Sequence, residues 1–347
     1  MARGHVLLRA AAAVGVLGCQ SGEGPVMYTG GVTAINTADA GSGGTGSVAA
    51  AGGSGGVSAP DGSVNGTDVV TAVPSSLAPP ATWQEHWFEH NQLLKLVMAN
   101  DDIALYFDND MEASDVSWIA PFLSSLWQYT KKTYGQPGDP RLYAVFHSGR
   151  YAGGHAASIF DPTHDYRNVI DLGGVTGLWN TPAVDLPAWT AGLLIELASL
   201  GIENVPSMGL TENKFNSIYA YDALKAIGMG DAADAWLPNL NADVADFPRA
   251  GTYWFRDWYY PLWHDHGGGA VFGRYLSLLA QHYSKVPRHD GRGQTYAPIM
   301  NWGEYIHFMS GAAGTDVKPL ATTAFGWSDV REAQYQEAKK DFPAVTY

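Results

Sequence analysis

The pentapeptide His86-Trp87-Phe88-Glu89-His90 is the first place in this 347-residue chain where residue type and spacing could do chemistry. On a helix, His86 and His90 lie one turn apart and face the same way. The spacing fits the inverted zinc-binding pattern HxxEH, with the imidazoles as ligands and Glu89 beside them. Its setting argues otherwise, because the motif opens the folded region directly after a low-complexity segment. The competing reading is a pair of interfacial histidines packed around Trp87 and Phe88. A further cluster, His264-Asp265-His266, precedes Gly267-Gly268-Gly269. Its histidines share a face on a strand but diverge at a helix end, and the reading adopted is a polar helix break before a helix over 271–283.

Carboxylates offer a second chemistry. Asp108, Asp110 and Glu112 follow an alternating strand and could form a cation loop or a general acid/base pair; the competing reading is a solvated turn. Asp257 is expected to pair with a basic side chain, and Glu304 to sit at a helix start, where the dipole favours an acid. Trp254, Trp258, Tyr259, Trp263 and Trp302 could line a sugar-binding cleft, against which stands ordinary core packing. No GxSxG elbow occurs, the single cysteine lies at the N-terminus, and nothing suggests a dinucleotide site.

The elements that must position these residues are read from periodicity. The spacing of Trp87, Leu94 and Val97 predicts a helix over 82–98. Alternation predicts a strand over 103–108, and further strands are read over 142–147 and, closed by Gly173-Gly174, over 168–172, with a helix capped by Ser114 and ended by Gly135 between the first two. Beyond them the pattern is helical over 186–200, 212–227, 253–283, 302–311, 317–325 and 329–340. The expected class is α+β, a small N-terminal sheet with helices followed by a mostly helical C-terminal half.

Ahead of that domain the chain changes character. Arg3 and Arg9 precede a short apolar run that ends Val16-Leu17-Gly18-Cys19. A bilayer span needs about 20 apolar residues, and this run is about half as long, as in a secretory signal. It resembles a bacterial lipoprotein signal, which implies a signal peptide over 1–18, cleavage before Cys19 and lipid on its sulfur; the alternative is an ordinary secretory signal with an incidental cysteine. Either exports the chain, and a lone cysteine leaves it without an internal disulfide. Residues 19–81 form a lipid-anchored tether rich in Gly, Ser and Ala that buries too little apolar surface to offset its entropy. About 60 flexible residues span about 40 to 45 Å, enough to hold a domain clear of the headgroups. Residues 82–347 suffice for one large core. The formal net charge of −14 argues against a nucleic acid or anionic partner.

A more local likeness falls on two consecutive predicted helices. The stretches Pro187-Ala188-Trp189-Thr190-Ala191-Gly192-Leu193-Leu194-Ile195-Glu196-Leu197-Ala198-Ser199 and Thr211-Glu212-Asn213-Lys214-Phe215-Asn216-Ser217-Ile218-Tyr219-Ala220-Tyr221-Asp222 resemble a group of secreted bacterial proteins with a zincin (gluzincin)-like metallopeptidase pattern. Glu85 to His90, Trp254 to Pro261, Asn301-Trp302-Gly303-Glu304 and Ala324-Phe325-Gly326-Trp327 look similar too. The resemblance implies a zincin-like fold and an HExxH helix in which two histidines hold zinc and the glutamate activates its water. Matched position by position, Ile195 replaces the first histidine, Glu196 survives, Ser199 replaces the second, and Ser217 falls near the acidic third ligand. Ile195 offers zinc nothing, and neutral serines are poor ligands.

The expectation is therefore a catalytically degenerate relative, lipid-anchored in the cell envelope at the outer membrane or cell surface. It would bind a peptide, protein or cell-wall glycan in the old cleft around Ile195, Ser199, Ser217, Asp222 and Glu304. A strand such as 168–172 could pair an extended ligand there. No cofactor is expected. The alternative is an active hydrolase, with zinc on relocated ligands such as His86, Glu89 and His90, or with carboxylates acting on a glycan.

Overall fold

Three short strands, buried along their whole length, set the centre of the molecule. The computed structural model describes residues 78–111, 117–135, 139–151, 153–173, 214–297 and 299–347. Its main sheet contains β1 (Thr82–Gln84), β2 (Leu93–Ala99), β3 (Ile103–Phe107), β4 (Leu142–Phe146), β5 (Gly153–Ala157) and β6 (Val169–Gly173), in the order β1-β2-β3-β4-β6-β5. The three inner strands β3, β4 and β6 are parallel, and the outer pairings are antiparallel. The fold is mixed α/β, with this sheet toward the N-terminal side and eight α-helices among the described residues.

Every residue of β3, β4 and β6 is buried, because both faces of the sheet are covered. One face carries Ile103, Leu105, Phe107, Leu142, Ala144, Phe146, Ile170 and Leu172, which belong to the same core as helix α1 (Ile119–Tyr134). The helix contributes Phe122, Leu123, Leu126, Trp127, Thr130 and Tyr134, a stripe at helical spacing. The other face carries Ala104, Tyr106, Tyr143, Val145 and Val169, and it is roofed by Trp83, Trp87 and Leu94. Trp83 makes edge contacts with Tyr106 and Tyr143 at ring separations of 5.5 and 5.9 Å.

The expected helix over 82–98 is corrected here to two strands joined by a turn. Leu94 and Leu96 turn onto the Trp-covered face while Leu93, Lys95 and Val97 face out, so a period of two prevails over the helical spacing of Trp87, Leu94 and Val97; a bulge after Leu96 puts Met98 against the opposite core. The expected strand 168–172 is present as β6, but it is hydrogen-bonded on both sides, to β4 and β5. It has no free edge with which to pair an extended ligand.

Past the sheet lie α2 (Lys214–Ala226), α3 (Gly230–Ala242), α4 (Tyr260–Asp265), α5 (Ala270–His282), α6 (Trp302–Ala313), α7 (Lys318–Phe325) and α8 (Asp329–Asp341). A π-helical turn, Phe255–Tyr259, leads into α4, and a hairpin of β7 (Lys285–Pro287) and β8 (Gln294–Tyr296) follows α5. Helix α3, strand β5 and this hairpin have no counterpart in the sequence reading. The break expected at His264-Asp265-His266 is present: α4 ends at Asp265 and α5 begins at Ala270. Trp254, Trp258 and Tyr259 are interior residues packed with Phe325, Tyr305 and one another, which is the core-packing reading of those aromatics. No helix among the described residues is long and apolar enough to cross a membrane.

Candidate metal centre

The C-terminal ends of β3, β4 and β6 share one edge of the sheet, the edge at which open α/β sheets hold ligands. Because β1 and β2 reverse direction, the turn between them falls at this same edge and folds over the Trp-covered face. The face itself dictates what gathers there. Continuing the alternation of Ala104 and Tyr106 brings Asp108 onto it, continuing Tyr143 and Val145 brings His147, and Asp171 follows Val169. The turn adds Glu85 and His90.

Glu85, His90, His147 and Asp171 each offer one donor atom, and these four atoms lie within 4.8 Å of one another. All four residues are buried, with exposures of 2, 8, 0 and 1 %. Acid and imidazole alternate around the group. Glu85 Oε1 is 3.5 Å from His90 Nδ1 and 2.9 Å from His147 Nε2. Asp171 Oδ2 is 3.0 Å from His90 Nδ1, and Asp171 Oδ1 is 3.2 Å from His147 Nε2.

Three of these side chains are gripped from behind at their other polar atom, which fixes what they present. The backbone N–H of Gln92 donates to Glu85 Oε2 at 2.8 Å, leaving Oε1 inward. Trp87 Nε1 donates to Asp171 Oδ2 at 2.8 Å. His147 Nδ1 faces Asp108 Oδ2 at 3.1 Å, and that carboxylate also meets Arg150 Nε at 3.2 Å. With the proton of the neutral ring on Nδ1, the Nε2 lone pair is aimed into the group, the outer-carboxylate arrangement found behind metal-bound histidines. His90 is held through its face, with Tyr151 stacked on it at 3.5 Å and an interplanar angle of 11°.

The site is strongly polarised. Burial works against a charge on His90, yet the adjacent carboxylates of Asp171 and Glu85 prevail and raise it to about 9. The same contest raises His147 to about 10. Burial pushes the carboxyls of Glu85 and Asp171 up, but both histidines overrule it and hold them below the usual range. Beside the group, burial pushes His155 down to about 4, so this ring is neutral. His155 Nε2 stands 3.8 Å from Asp171 Oδ2 and 2.9 Å from His164 Nε2, and His164 Nδ1 is 3.0 Å from Asp161 Oδ2.

Two kinds of chemistry satisfy such a group. In one, two protonated imidazoles neutralise two carboxylates. In the other, two neutral imidazoles and two carboxylates hold a divalent cation, and the total charge is the same. Hydrogen-bond geometry favours the second. Glu85 Oε1, His90 Nδ1 and Asp171 Oδ1 are buried and have no aligned hydrogen-bond partner among the described residues, although donors and acceptors stand within 3.5 Å. Atoms aimed at a common centre rather than at each other have this signature. Zinc bonds of about 2.0 to 2.2 Å in a tetrahedron separate neighbouring donors by about 3.3 to 3.6 Å. Of the four acid–imidazole separations, 3.5 Å lies in that range and 2.9, 3.0 and 3.2 Å lie below it, so the donors would open by a few tenths of an ångström around an ion. Calcium, with six to eight oxygens, and magnesium, with retained waters, fit a closed N2O2 group poorly.

Of the residues singled out from sequence, His90 belongs to this centre. The HxxEH helix is corrected, because residues 86–90 form a turn rather than a helix. His86 is exposed, with Nε2 3.5 Å from Asp165 Oδ1, and Glu89 is exposed as well. Asp108 stands behind His147, and Asp110 accepts the Ser148 N–H at 3.0 Å, so these acids orient the centre instead of forming a cation loop of their own. Asp222 lies elsewhere, accepting from Tyr129 Oη at 2.6 Å, Tyr134 Oη at 2.5 Å, Trp263 Nε1 at 2.7 Å and the Gly269 N–H at 2.9 Å. Its oxygens are consumed in tying α1 to the turn before α5. Glu304 closes a capping box with Asn301 at the start of α6. Asp257 pairs with its neighbour Arg256. Ser217 is half-buried on α2. Cys19, Glu112, Ser114, Ile195, Glu196 and Ser199 lie outside the described residues.

Glu85, His147 and Asp171 were not singled out from sequence as ligands. Their signal is alternation carried past the apolar part of each strand, which puts Asp108, His147 and Asp171 on one face. No protein-family model matches the chain, and no curated protein matches it.

Proposed function

We propose that this chain is an exported, lipid-anchored protein of the cell envelope whose domain holds one zinc-class divalent cation on Glu85, His90, His147 and Asp171. The observation that carries the reading is the set of buried atoms, Glu85 Oε1, His90 Nδ1 and Asp171 Oδ1, which converge within ion-pair distance without an aligned hydrogen bond among the described residues. Two imidazoles select a transition metal over magnesium or calcium. Four protein donors leave no position for a substrate or an activated water, which is the pattern of a holding site and not of hydrolysis.

The remainder of the proposal rests on sequence. The run ending at Cys19 supports lipid anchorage at the outer membrane or cell surface. The match of Ile195, Glu196, Ser199 and Ser217 to a gluzincin helix pair supports a zincin-like domain without hydrolytic chemistry, acting by binding a peptide, protein or cell-wall glycan.

The first test is elemental analysis of the full chain purified without chelator, beside Glu85→Gln and His90→Ala. About one zinc-class ion per chain, lost in both variants, is expected; absence of any ion from the wild type in micromolar zinc overturns the reading. Cys19→Ser is expected to abolish partition into detergent. Peptide cleavage that Glu196→Gln abolishes would overturn the non-hydrolytic part.

A further inference from the structure

Among the four donors, access to solvent is unequal. Glu85, His147 and Asp171 keep 2 % or less of their surface, and His90 keeps the largest share, 8 %. A cation exchanging with solvent therefore passes the His90 ring, and what lies on that ring governs passage. Tyr151 lies on it face to face at 3.5 Å, and the same phenol meets His147 edge-on at 4.8 Å and 90°. Among the described residues it is the aromatic side chain that touches both imidazoles from outside.

The backbone around Tyr151 is built for this position at a cost. Tyr151 has φ 49°, in the left-handed region that side-chain-bearing residues avoid. Its carbonyl and that of Arg150 pass so close to Gly173, at the end of β6, that a Cβ there would come within 2.6 and 2.9 Å of them. The tip of the phenol is held only loosely, with Tyr151 Oη 3.4 Å from both the Asn91 N–H and Gln92 Nε2. A strained backbone, a stacked ring and long hydrogen bonds describe a cover that can swing away without dismantling the four donors.

Resting on the metal-site reading above, we infer that Tyr151 is the gate of this centre: its ring covers His90 and sets the rate at which the cation enters and leaves, while Glu85, His90, His147 and Asp171 set the affinity. Tyr151 meets the group through its ring, with its Oη directed at Asn91 and Gln92. Its removal therefore changes both rate constants in the same direction and leaves their ratio nearly constant.

The test uses the full chain loaded with cobalt(II), whose visible absorption reports four-coordinate binding, and stopped-flow mixing with a chelator and with free cobalt. Tyr151→Gly removes the ring and the backbone strain together, and Tyr151→Leu keeps apolar bulk without a planar stack. Both are expected to bind and release cobalt about tenfold faster or more, with the dissociation constant changed by less than about threefold. Tyr151→Phe, which loses only the long hydrogen bonds, is expected to remain close to wild type. An unchanged association rate in both Gly and Leu variants overturns the gate and leaves the metal site standing. A wild type that binds no cobalt overturns the site reading itself. Thermal melts of the cobalt-free variants separate a folded variant with altered exchange from one that has lost its structure, and Tyr151→Leu decides the matter if Tyr151→Gly is unfolded.

Discussion

Asp108 stands directly behind His147, Oδ2 to Nδ1 at 3.1 Å, in a fully buried contact that fixes which nitrogen of the ring faces Glu85 and Asp171. The two residues are neighbours on β3 and β4, one step beyond Phe107 and Phe146, so the sheet register itself makes the contact. Removing the carboxylate leaves the ring free to present either nitrogen. Asp108→Ala is expected to weaken zinc binding about 10- to 100-fold while keeping all four donors. Competition with a zinc indicator checks it, and unchanged affinity would detach Asp108 from the centre.

Without a cation, the two acids and two histidines neutralise each other in a buried space, so loss of one member strands the others. Asp171→Asn is expected to destabilise the cation-free protein by about 3 to 5 kcal/mol. Denaturant unfolding with chelator present measures this directly. A cost below about 1 kcal/mol would mean that the group is not an interdependent set.

The pH dependence has a definite sign. His90 and His147 are raised from 6.5 to about 9 and about 10, so their contribution to cation-free stability is complete below pH 6.5 and is lost as pH rises through those values. Glu85 and Asp171 are lowered from 4.5 and 3.8, so theirs is present above those values and lost as pH falls. The cation-free protein is expected to be most stable from about pH 4.5 to 6.5. A cation must displace the imidazole protons, so at pH 7 binding is expected to release about two protons. Calorimetry in buffers of different ionisation enthalpy counts them, and zinc affinity is expected to climb with pH.

Helix α6 supplies a control remote from these effects. The Asn301 side chain accepts the Glu304 N–H at 3.0 Å, and Glu304 Oε2 accepts the Asn301 N–H at 2.8 Å. Asn301→Ala is expected to cost about 0.5 to 2 kcal/mol and to leave zinc affinity unchanged. A shift in affinity as large as that of Asp108→Ala would show the centre and the helical half to be coupled.

Much of the sheet was legible because strands buried on both faces read as unbroken apolar runs, as Ile103 to Phe107 and Leu142 to Phe146 do. The turn over 85–92 was not, because Trp87, Leu94 and Val97 satisfy a helical spacing by coincidence while Val97 in fact faces solvent. That misreading paired His90 with His86, whereas the turn pairs it with Glu85. Asp108, His147 and Asp171 were hidden for another reason. Asp108 and His147 sit just past strand ends, where a polar residue ordinarily signals only that the strand is over, and Asp171 is a lone acid in the middle of β6. Their convergence depends on sheet order, β3-β4-β6, which no local pattern encodes.

The carboxylate of Asp222 has a kinetic consequence. Its donors Tyr129, Tyr134, Trp263 and Gly269 lie 93, 88, 41 and 47 positions away along the chain. No short segment can assemble them, so the hub closes only after α1, α2 and the turn before α5 have already met. Interactions that form after the rate-limiting step slow unfolding without hastening folding. Asp222 thus acts as a latch on the finished domain, prolonging the life of the folded state in a chain whose single cysteine can form no internal disulfide.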